Sequence, residues 1–204
     1  MKPMIYYRIK EYIFHIGAKW DKKAVKEENA IDFAHEHINA EPKQCMNSLE
    51  YLLANGGENI NMQLRNRKMQ DVDLYIRDII NMLKNNTTDT DLIVYRGIPD
   101  NVFNEVLKSL IEEASIFPDC DLYDKGILAT SLVKGKELRG SQSPQKPNKF
   151  KGFRILVPKG SHVKYMGNVN FEEHYYEVDI QHGAKLQVIS ADKEYINCLL
   201  VSTN

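Results

Sequence analysis

Two charged side chains stand where the sequence predicts buried strands. Arg96 interrupts the apolar run 92–98, and Glu177 opens a second strand pattern behind a polar loop. A guanidinium is costly to desolvate without an anion, so Arg96 requires either a phosphate ligand or a structural ion pair with an inner carboxylate. An acid at the mouth of a strand has a rigid support from which to act on a substrate. Gly97 follows the arginine and would let a ligand approach the backbone.

Hydroxyl groups and histidines are the other candidates for chemistry. The apolar run 126–132 contains Thr130 and Ser131, which alone are ordinary strand residues and gain meaning only beside a second signal. His35 and His37 invite a metal interpretation, but residues two apart on a helix point to different sides. We therefore favour a solvated helix face there and predict no metal site.

Helical spacing dominates the elements before residue 86. The pattern predicts a first helix that Gly17 ends, a second over 21–37, a third that Asn55-Gly56-Gly57 stops, and a fourth over 72–83. The polar stretch 85–91 is the main boundary in the chain. Beyond it the sequence predicts one helix, over 101–114, and strands in the following segments: 92–98, 126–132, 153–158, 177–180 and 186–190.

Length and composition define the broad class. A chain of 204 residues with 43% hydrophobic residues can bury a core, and we expect one domain, 1–204, with a helical part (1–86) and a mainly strand part (92–204). A net charge of −1 argues against a generally basic nucleic-acid binder. Three dispersed cysteines and no secretory pattern at the N-terminus favour a protein made in the cytoplasm, and delivery into a target cell without a signal peptide remains compatible with this.

Four motifs in sequence order carry a family resemblance. They are Val94-Tyr95-Arg96-Gly97, Leu128-Ala129-Thr130-Ser131-Leu132, Ile155-Leu156-Val157-Pro158-Lys159-Gly160, and Glu177-Val178 with Gly183 and Ile189 behind it. Together they resemble the mono-ADP-ribosyltransferases of the Arg–Ser–Glu class, which include clostridial binary toxins, Rho-modifying exoenzymes and phage transferases. The match covers roughly residues 45–190, because the stretch from Asn59 to Arg65 also resembles the helical lead-in of that class.

The resemblance implies an α+β fold in which N-terminal helices pack on two mainly antiparallel sheets around an NAD cleft. It also implies the reaction, in which the bond between nicotinamide and ribose of NAD breaks and ADP-ribose passes to an acceptor. Such an oxocarbenium-like transition state needs a fixed negative charge, which Glu177 would supply, and a clamp for the diphosphate, which Arg96 would supply. Gly97 would offer backbone groups to the nicotinamide amide, and Thr130 and Ser131 would line the cleft and orient Glu177.

The aromatic residues at the predicted strand 153–158 have two interpretations. Phe150 or Phe153 could stack on the nicotinamide or on the target. The alternation of Phe153 with its neighbours fits a core position equally well.

The sequence departs from the family pattern at two positions. The hydroxyl motif of the family begins with serine, whereas this chain has Ala129, so the bond that orients Glu177 must come from Thr130, Ser131 or water, or catalysis is impaired. The family places Glu or Gln two residues before the catalytic acid, whereas this chain has Tyr175. A tyrosine, with an ordinary pKa of about 10, is not a carboxylate-like base at neutral pH, which makes an arginine acceptor less favoured.

The sequence leaves several possibilities open for the acceptor and for the residues that would act on it. Glu172, Glu173 or His174 could replace the missing acid from the loop, or they could simply be solvated. A basic segment over 134–151 could steer nucleic acid or an acidic protein surface to the cleft, or be a solvated loop. We expect a macromolecular acceptor, more readily a protein than a nucleic acid, with no membrane partner. A non-catalytic binding module with the same fold is the third possibility.

Overall fold

The computed structural model describes residues 1–38, 48–137, 151–167, 169 and 172–204. Within these residues six α-helices are found, five of them before the first strand. They are α1 (Met4–Phe14), α2 (Ile16–Lys23), α3 (Ala30–His37), α4 (Ser48–Asn66), α5 (Leu74–Lys84) and α6 (Phe103–Ala114). None of the described helices is long and apolar enough to span a membrane.

Eight strands in the described residues form one hydrogen-bonded series. They are β1 (Leu92–Gly97), β2 (Leu122–Asp124), β3 (Leu128–Ser131), β4 (Gly152–Val157), β5 (Val163–Tyr165), β6 (Glu177–Ile180), β7 (Ala184–Ala191) and β8 (Tyr195–Ser202). Their spatial order is β2-β7-β8-β4-β1-β3-β6-β5, and all neighbours are antiparallel except β4 and β8. The helices and the mainly antiparallel strands agree with the α+β prediction.

The series divides into two panels where β1 meets β3. β1 and β4 are in register over six residue pairs, from Leu92 opposite Val157 to Gly97 opposite Gly152. Across the described part of the β1–β3 junction, by contrast, the register consists of Tyr95 opposite Ser131. The two sheets expected from the sequence are therefore a five-stranded and a three-stranded panel that meet along this short seam.

The first helical region breaks at His15 and not at Gly17. His15 adopts a left-handed conformation with a φ of 50°, and α2 starts immediately after it. The Glu11 carboxylate accepts hydrogen bonds from the Gly17 backbone N–H at 2.9 and 3.1 Å, which satisfies a donor of the first turn of α2. A Cβ at Gly17 would lie 2.4 Å from Nη1 of Arg154, so this glycine permits close packing on the sheet.

Helix α4 runs through the glycine pair that was predicted to stop it. Two mid-helix glycines weaken a helix by roughly 0.5–1 kcal/mol each relative to alanine. Burial of Leu53, Ile60 and Leu64 against α5 offsets this cost, because these side chains are 4%, 0% and 6% exposed within one apolar cluster. The predicted stop was wrong because tertiary packing outweighs local propensity here.

A second cluster joins the sheet to the N-terminal helices and α6. It includes Ala30 and Ala34 of α3, Phe103 of α6 and the inward residues of the central strands. Phe153 is part of this core with an exposed fraction of 0% and faces Phe103 at a ring distance of 6.4 Å. The proposal that Phe153 stacks on a ligand is therefore corrected: this ring fills the core. Phe150 lies outside the described residues.

Candidate active site

Strands β1, β3 and β6 bring the predicted site residues together. Ser131 is opposite Tyr95 on one side and Glu177 on the other, and Ala129 is opposite Asp179. Because residues directly opposite one another in an antiparallel pair project from the same face, this register places the residues at 129, 131, 177 and 179 on one face of the sheet.

A pocket with an empty volume of about 210 Å³ opens on this face. Its lining residues come from β3, from β6 and from the turn before β6, and they are Ala129, Thr130, Ser131, Tyr175 and Glu177. Four of these five are residues that the sequence predicted to act in catalysis.

Arg96 lies directly beside this pocket. Its Nη1 donates a hydrogen bond to the Ala129 carbonyl oxygen at 3.2 Å, and its Nη2 lies 3.8 Å from Oδ2 of Asp124. Its Nε is buried and has no hydrogen-bond partner among the described residues. Burial lowers the pKa of Arg96, and the negative charge of Asp124 opposes that shift. An arginine keeps its charge in proteins, so this guanidinium is a cation with unused donors at the edge of the pocket.

Asp124 is the inner acid that the sequence left as one of two alternatives for Arg96. It is 3% exposed and also accepts two hydrogen bonds from Arg65 of α4, at 3.1 and 3.0 Å. Burial alone would raise the pKa of Asp124, but the charges of Arg96 and Arg65 lower it below its ordinary value. Arg96 therefore has a structural partner and still keeps donors available for a ligand.

Asn61 fixes the turn that leads from Asp124 into β3. Its side-chain amide donates to the Ile127 carbonyl at 3.1 Å and accepts from the Ile127 N–H at 2.7 Å. A Cβ on Gly126 would lie 2.6 Å from Oδ1 of Asn61, so the turn can approach α4 this closely only with glycine. Helix α4 thus positions β3, and through β3 the pocket.

The hydroxyl groups of Thr130 and Ser131 are committed elsewhere. Oγ1 of Thr130 donates to the Val178 carbonyl at 2.6 Å, and Oγ of Ser131 donates to the Val133 carbonyl at 3.1 Å. A hydroxyl has one proton to donate, so neither group donates to Glu177 in this structure. The expected orienting bond from Thr130 or Ser131 is corrected accordingly: both residues line the pocket, the Thr130 hydroxyl ties β3 to β6, and the Ser131 hydroxyl bonds the backbone of Val133.

Glu177 instead lies next to a second carboxyl group, Asp179, on the same strand. Residues two apart on a strand share a face, and the two carboxyl groups are within hydrogen-bonding reach of each other. Burial raises the pKa of Glu177, while the hydrogen bond with Asp179 opposes that rise and the charge of Glu172 adds to it. Burial also raises the pKa of Asp179 well above its ordinary value, Glu177 raises it further, and Arg96 opposes the shift.

Tyr175 reaches the pocket from a single 3₁₀ turn. The turn spans Glu173–Tyr175, and Tyr176 after it has a φ of 50°, which redirects the chain into β6. The rings of His174 and Tyr175 are 4.1 Å apart, but His174 is exposed and is not among the pocket residues. The loop therefore presents a phenol, not an imidazole, to the pocket.

Gly97 ends β1 opposite Gly152 at the edge of the site. An added Cβ on Gly152 would lie 1.9 Å from the Arg96 carbonyl oxygen. This contact is shorter than any real Cβ contact, so the backbone that carries Arg96 depends on glycine at position 152.

The described part of the basic segment is paired with acids. Lys134 contacts Asp21 at 2.7 Å, Lys136 contacts Glu27 at 2.7 Å, and Lys151 pairs with Glu194. Residues 138–150, which contain the other cations of the segment, lie outside the described residues. His37 pairs with Asp89 at 2.8 Å.

Sequence reasoning missed Asp124, Asp179 and Asn61 as members of this site. The signal for Asp179 was present, because an acid stands between Val178 and Ile180 in an otherwise apolar strand. Asp124 lies in a strand of three residues, which is too short to show a period.

Comparison with known proteins identifies relatives of this arrangement. A family model described as ADP-ribosyltransferase exoenzyme matches residues 17–202. Sequence comparison with curated proteins found no match.

Three solved structures of bacterial proteins have the same fold. The C3stau2 structure from S. aureus with NAD has a TM-score of 0.61 at 15% identity, covering 87% of this chain and 97% of that one. The Clostridium limosum C3 exoenzyme has a TM-score of 0.60 at 19% identity, covering 87% and 96%. BECa of a C. perfringens binary enterotoxin, solved with NADH, has a TM-score of 0.59 at 19% identity, covering 86% of this chain and 49% of that one. These likenesses confirm the predicted fold class.

Proposed function

Because the chain belongs to the ADP-ribosyltransferase exoenzyme family, we propose that it breaks the nicotinamide–ribose bond of NAD and transfers ADP-ribose to a protein acceptor. The observation that carries this proposal is the position of Arg96, a partly buried cation with unused donors, beside a pocket that contains Glu177. Two of the similar structures contain NAD or NADH, which supports NAD as the substrate here.

Glu177 acts on the ribose in this proposal. Breaking the glycosidic bond produces positive charge on the ribose ring, and a carboxylate fixed nearby stabilises that charge in the transition state. The carboxylate also accepts a hydrogen bond from a ribose hydroxyl. Its partly buried position makes the interaction stronger than it would be in water, because the effective dielectric is lower.

Arg96 binds the diphosphate, and Gly97 offers its backbone to the nicotinamide amide. A charge-assisted hydrogen bond to phosphate is roughly twice as strong as a neutral one, and the Nε of Arg96 has no hydrogen-bond partner among the described residues. Arg65 donates two hydrogen bonds to Asp124 and so neutralises part of its negative charge, which leaves Arg96 able to bind a phosphate as well. Thr130 and Ser131 form the wall of β3 beside the ribose.

Tyr175 faces the acceptor. It occupies the position two residues before Glu177, where the family has an acid or amide, and it lines the pocket. A phenol can stack against an acceptor side chain and donate a hydrogen bond, but it does not remove a proton as a carboxylate would. We infer an acceptor that needs little help in losing a proton, and the paired lysines of the basic segment favour a protein over a nucleic acid.

The test is incubation of the protein with NAD labelled in the adenylate part and with cell lysate. Label in protease-sensitive material is expected. Label in nuclease-sensitive material would instead assign a nucleic-acid acceptor, and neither transfer nor NAD hydrolysis would indicate a binding module.

Glu177→Gln provides the residue-level test of the same proposal. The amide keeps the shape of the side chain but removes the charge, so turnover should fall by about 100-fold or more while NAD binding persists. Glu105→Gln is the matched control, because Glu105 is exposed on α6, away from the pocket. Equal turnover in Glu177→Gln and the wild type would reject the role of Glu177.

A further inference from the structure

Position 129 lacks the hydroxyl that would orient Glu177, and the structure places another polar group opposite it. Ala129 on β3 is in register with Asp179 on β6. Facing residues of an antiparallel pair have Cβ atoms about 4.5–5.5 Å apart, so a side chain from 179 can occupy the space that a longer side chain at 129 would fill. The Asp179 side chain is also on the Glu177 side of its strand.

Asp179 needs a partner of a particular kind. It is 2% exposed, and its Oδ1 has no hydrogen-bond donor among the described residues. A buried carboxylate without donors is costly, whereas a protonated carboxyl group can itself donate. Among the described residues, Glu177 presents a carboxyl group within its reach.

We propose that Asp179 is a positioning residue that carries one proton and donates it as a hydrogen bond to the Glu177 carboxylate, in place of a hydroxyl at position 129. This inference rests on the proposed function, because Glu177 is its target. The pair holds one negative charge and one proton in total. Glu177 therefore stays ionised, as the developing ribose cation requires, while its carboxylate is held in one orientation.

The proton resides on Asp179 and not on Glu177 because of burial. Asp179 is buried more completely than Glu177, and burial disfavours the charged form of a carboxyl group. Two carboxylates this close would also repel, as in carboxylate pairs that share a proton.

Other charges face the pair from each neighbouring element. Arg96 on β1 lies close enough to favour ionised Asp179, and its own charge is partly offset by Asp124 on β2, which Arg65 of α4 also contacts. Lys164 on β5 is opposite Asp179 in register, but its Nζ lies 2.8 Å from Glu50 of α4. Glu172 acts on Glu177 and disfavours a second negative charge.

Three variants separate this role from simple packing. Asp179→Leu removes the donor, and kcat for NAD hydrolysis should fall about 10- to 100-fold with little change in KM, because one charge-assisted hydrogen bond is lost. Asp179→Asn keeps an N–H donor and should stay within about 3-fold of the wild type. Adding Ala129→Ser to Asp179→Leu supplies a hydroxyl and should recover at least half of the lost activity on a logarithmic scale. Equal kcat in Asp179→Leu and wild type, or no gain from Ala129→Ser, would overturn the proposal.

The pH profile gives a second readout that packing alone would not change. Wild-type kcat should decrease at high pH as Asp179 loses its proton, and this decrease should be absent in Asp179→Asn, which has no proton to lose in that range. If kcat decreased at the same high pH in the wild type and in Asp179→Asn, the role of Asp179 would be contradicted.

Infrared spectroscopy tests the proton on Asp179 directly. It requires neither NAD turnover nor a correctly folded Asp179→Leu variant. At neutral pH the wild type should show the C=O stretching band of a protonated carboxylic acid, and Asp179→Asn should lack it. Loss of NAD turnover with this band present would reject the proposed function and keep the shared proton. Absence of the band from the wild type would reject the shared proton whatever the activity.

Discussion

Asp124→Asn should destabilise the fold through the loss of one buried negative charge. The substitution keeps the side-chain shape and an acceptor oxygen, but it leaves Arg96 without its nearest counter-charge, 3.8 Å away. Removing one partner of a buried ion pair costs about 3–5 kcal/mol. Arg65 is 43% exposed, so water screens its share of the interaction, and we expect the lower end of this range, about 3 kcal/mol.

Urea denaturation measures this change in the free energy of unfolding. With a slope of about 2 kcal/mol per molar urea, the midpoint should fall by about 1.5 M. Asp119→Asn is the matched control, because Asp119 is 49% exposed and its contact with Lys185 is 3.6 Å, a surface pair worth about 0–1 kcal/mol. A midpoint for Asp124→Asn equal to that of Asp119→Asn would refute the assignment of Asp124 as the centre of the charge network.

The same prediction has a defined pH dependence. Arg96 and Arg65 lower the pKa of Asp124 in the folded state, so its stabilisation is fully present above the unfolded pKa of about 3.9 and is lost as pH falls through the lower folded value. The difference in stability between wild type and Asp124→Asn should therefore narrow in acid.

Three further outcomes follow from the geometry. Arg96→Ala should weaken NAD binding about 10-fold or more by calorimetry, and Arg96→Lys should recover only part of it, since lysine lacks the planar fork; unchanged affinity would remove the phosphate role. Gly152→Ala should lower the melting temperature because its Cβ would meet the Arg96 carbonyl at 1.9 Å, whereas Gly57→Ala, with open space around it, should gain about 0.5–1 kcal/mol. Carbon-detected NMR titration should give Glu194 a pKa of about 2, because the hydrogen bond from Lys151 lowers it; an ordinary value near 4 would contradict that ion pair.

Local patterns in the sequence were sufficient for elements with a strong period. The spacing of Ile76, Ile79, Ile80 and Leu83 predicted α5, and all four side chains are buried. The apolar run at 92–98 likewise predicted β1. In both cases the spacing of apolar residues along the sequence follows directly from which side chains are buried, on one helix face or in the centre of the sheet.

Elements that depend on distant contacts were not predictable in the same way. β2 and β5 have three residues each, which is too few for a period, and they exist because β7 and β6 pair with them. β8 was missed, although its parallel pairing with β4 makes it central to the larger panel. The left-handed conformation at His15 was also not predictable, because no glycine or asparagine stands at that position.

The candidate site shows the same division. Sequence motifs located Arg96, Thr130, Ser131, Tyr175 and Glu177, of which the last four line one pocket while Arg96 contacts the Ala129 carbonyl. What the motifs could not supply was the direction of each hydrogen bond. The hydroxyls of Thr130 and Ser131 are committed to backbone carbonyls, which only the strand register reveals.

The short seam between β1 and β3 has a mechanical consequence. Arg96 belongs to the larger panel and Glu177 to the smaller, and in the described residues the panels are in register at Tyr95 and Ser131 alone. Each panel is held together by its own strand pairing. The distance between the two charges therefore depends on the angle between the two panels. A ligand that contacts both charges would therefore contact both panels.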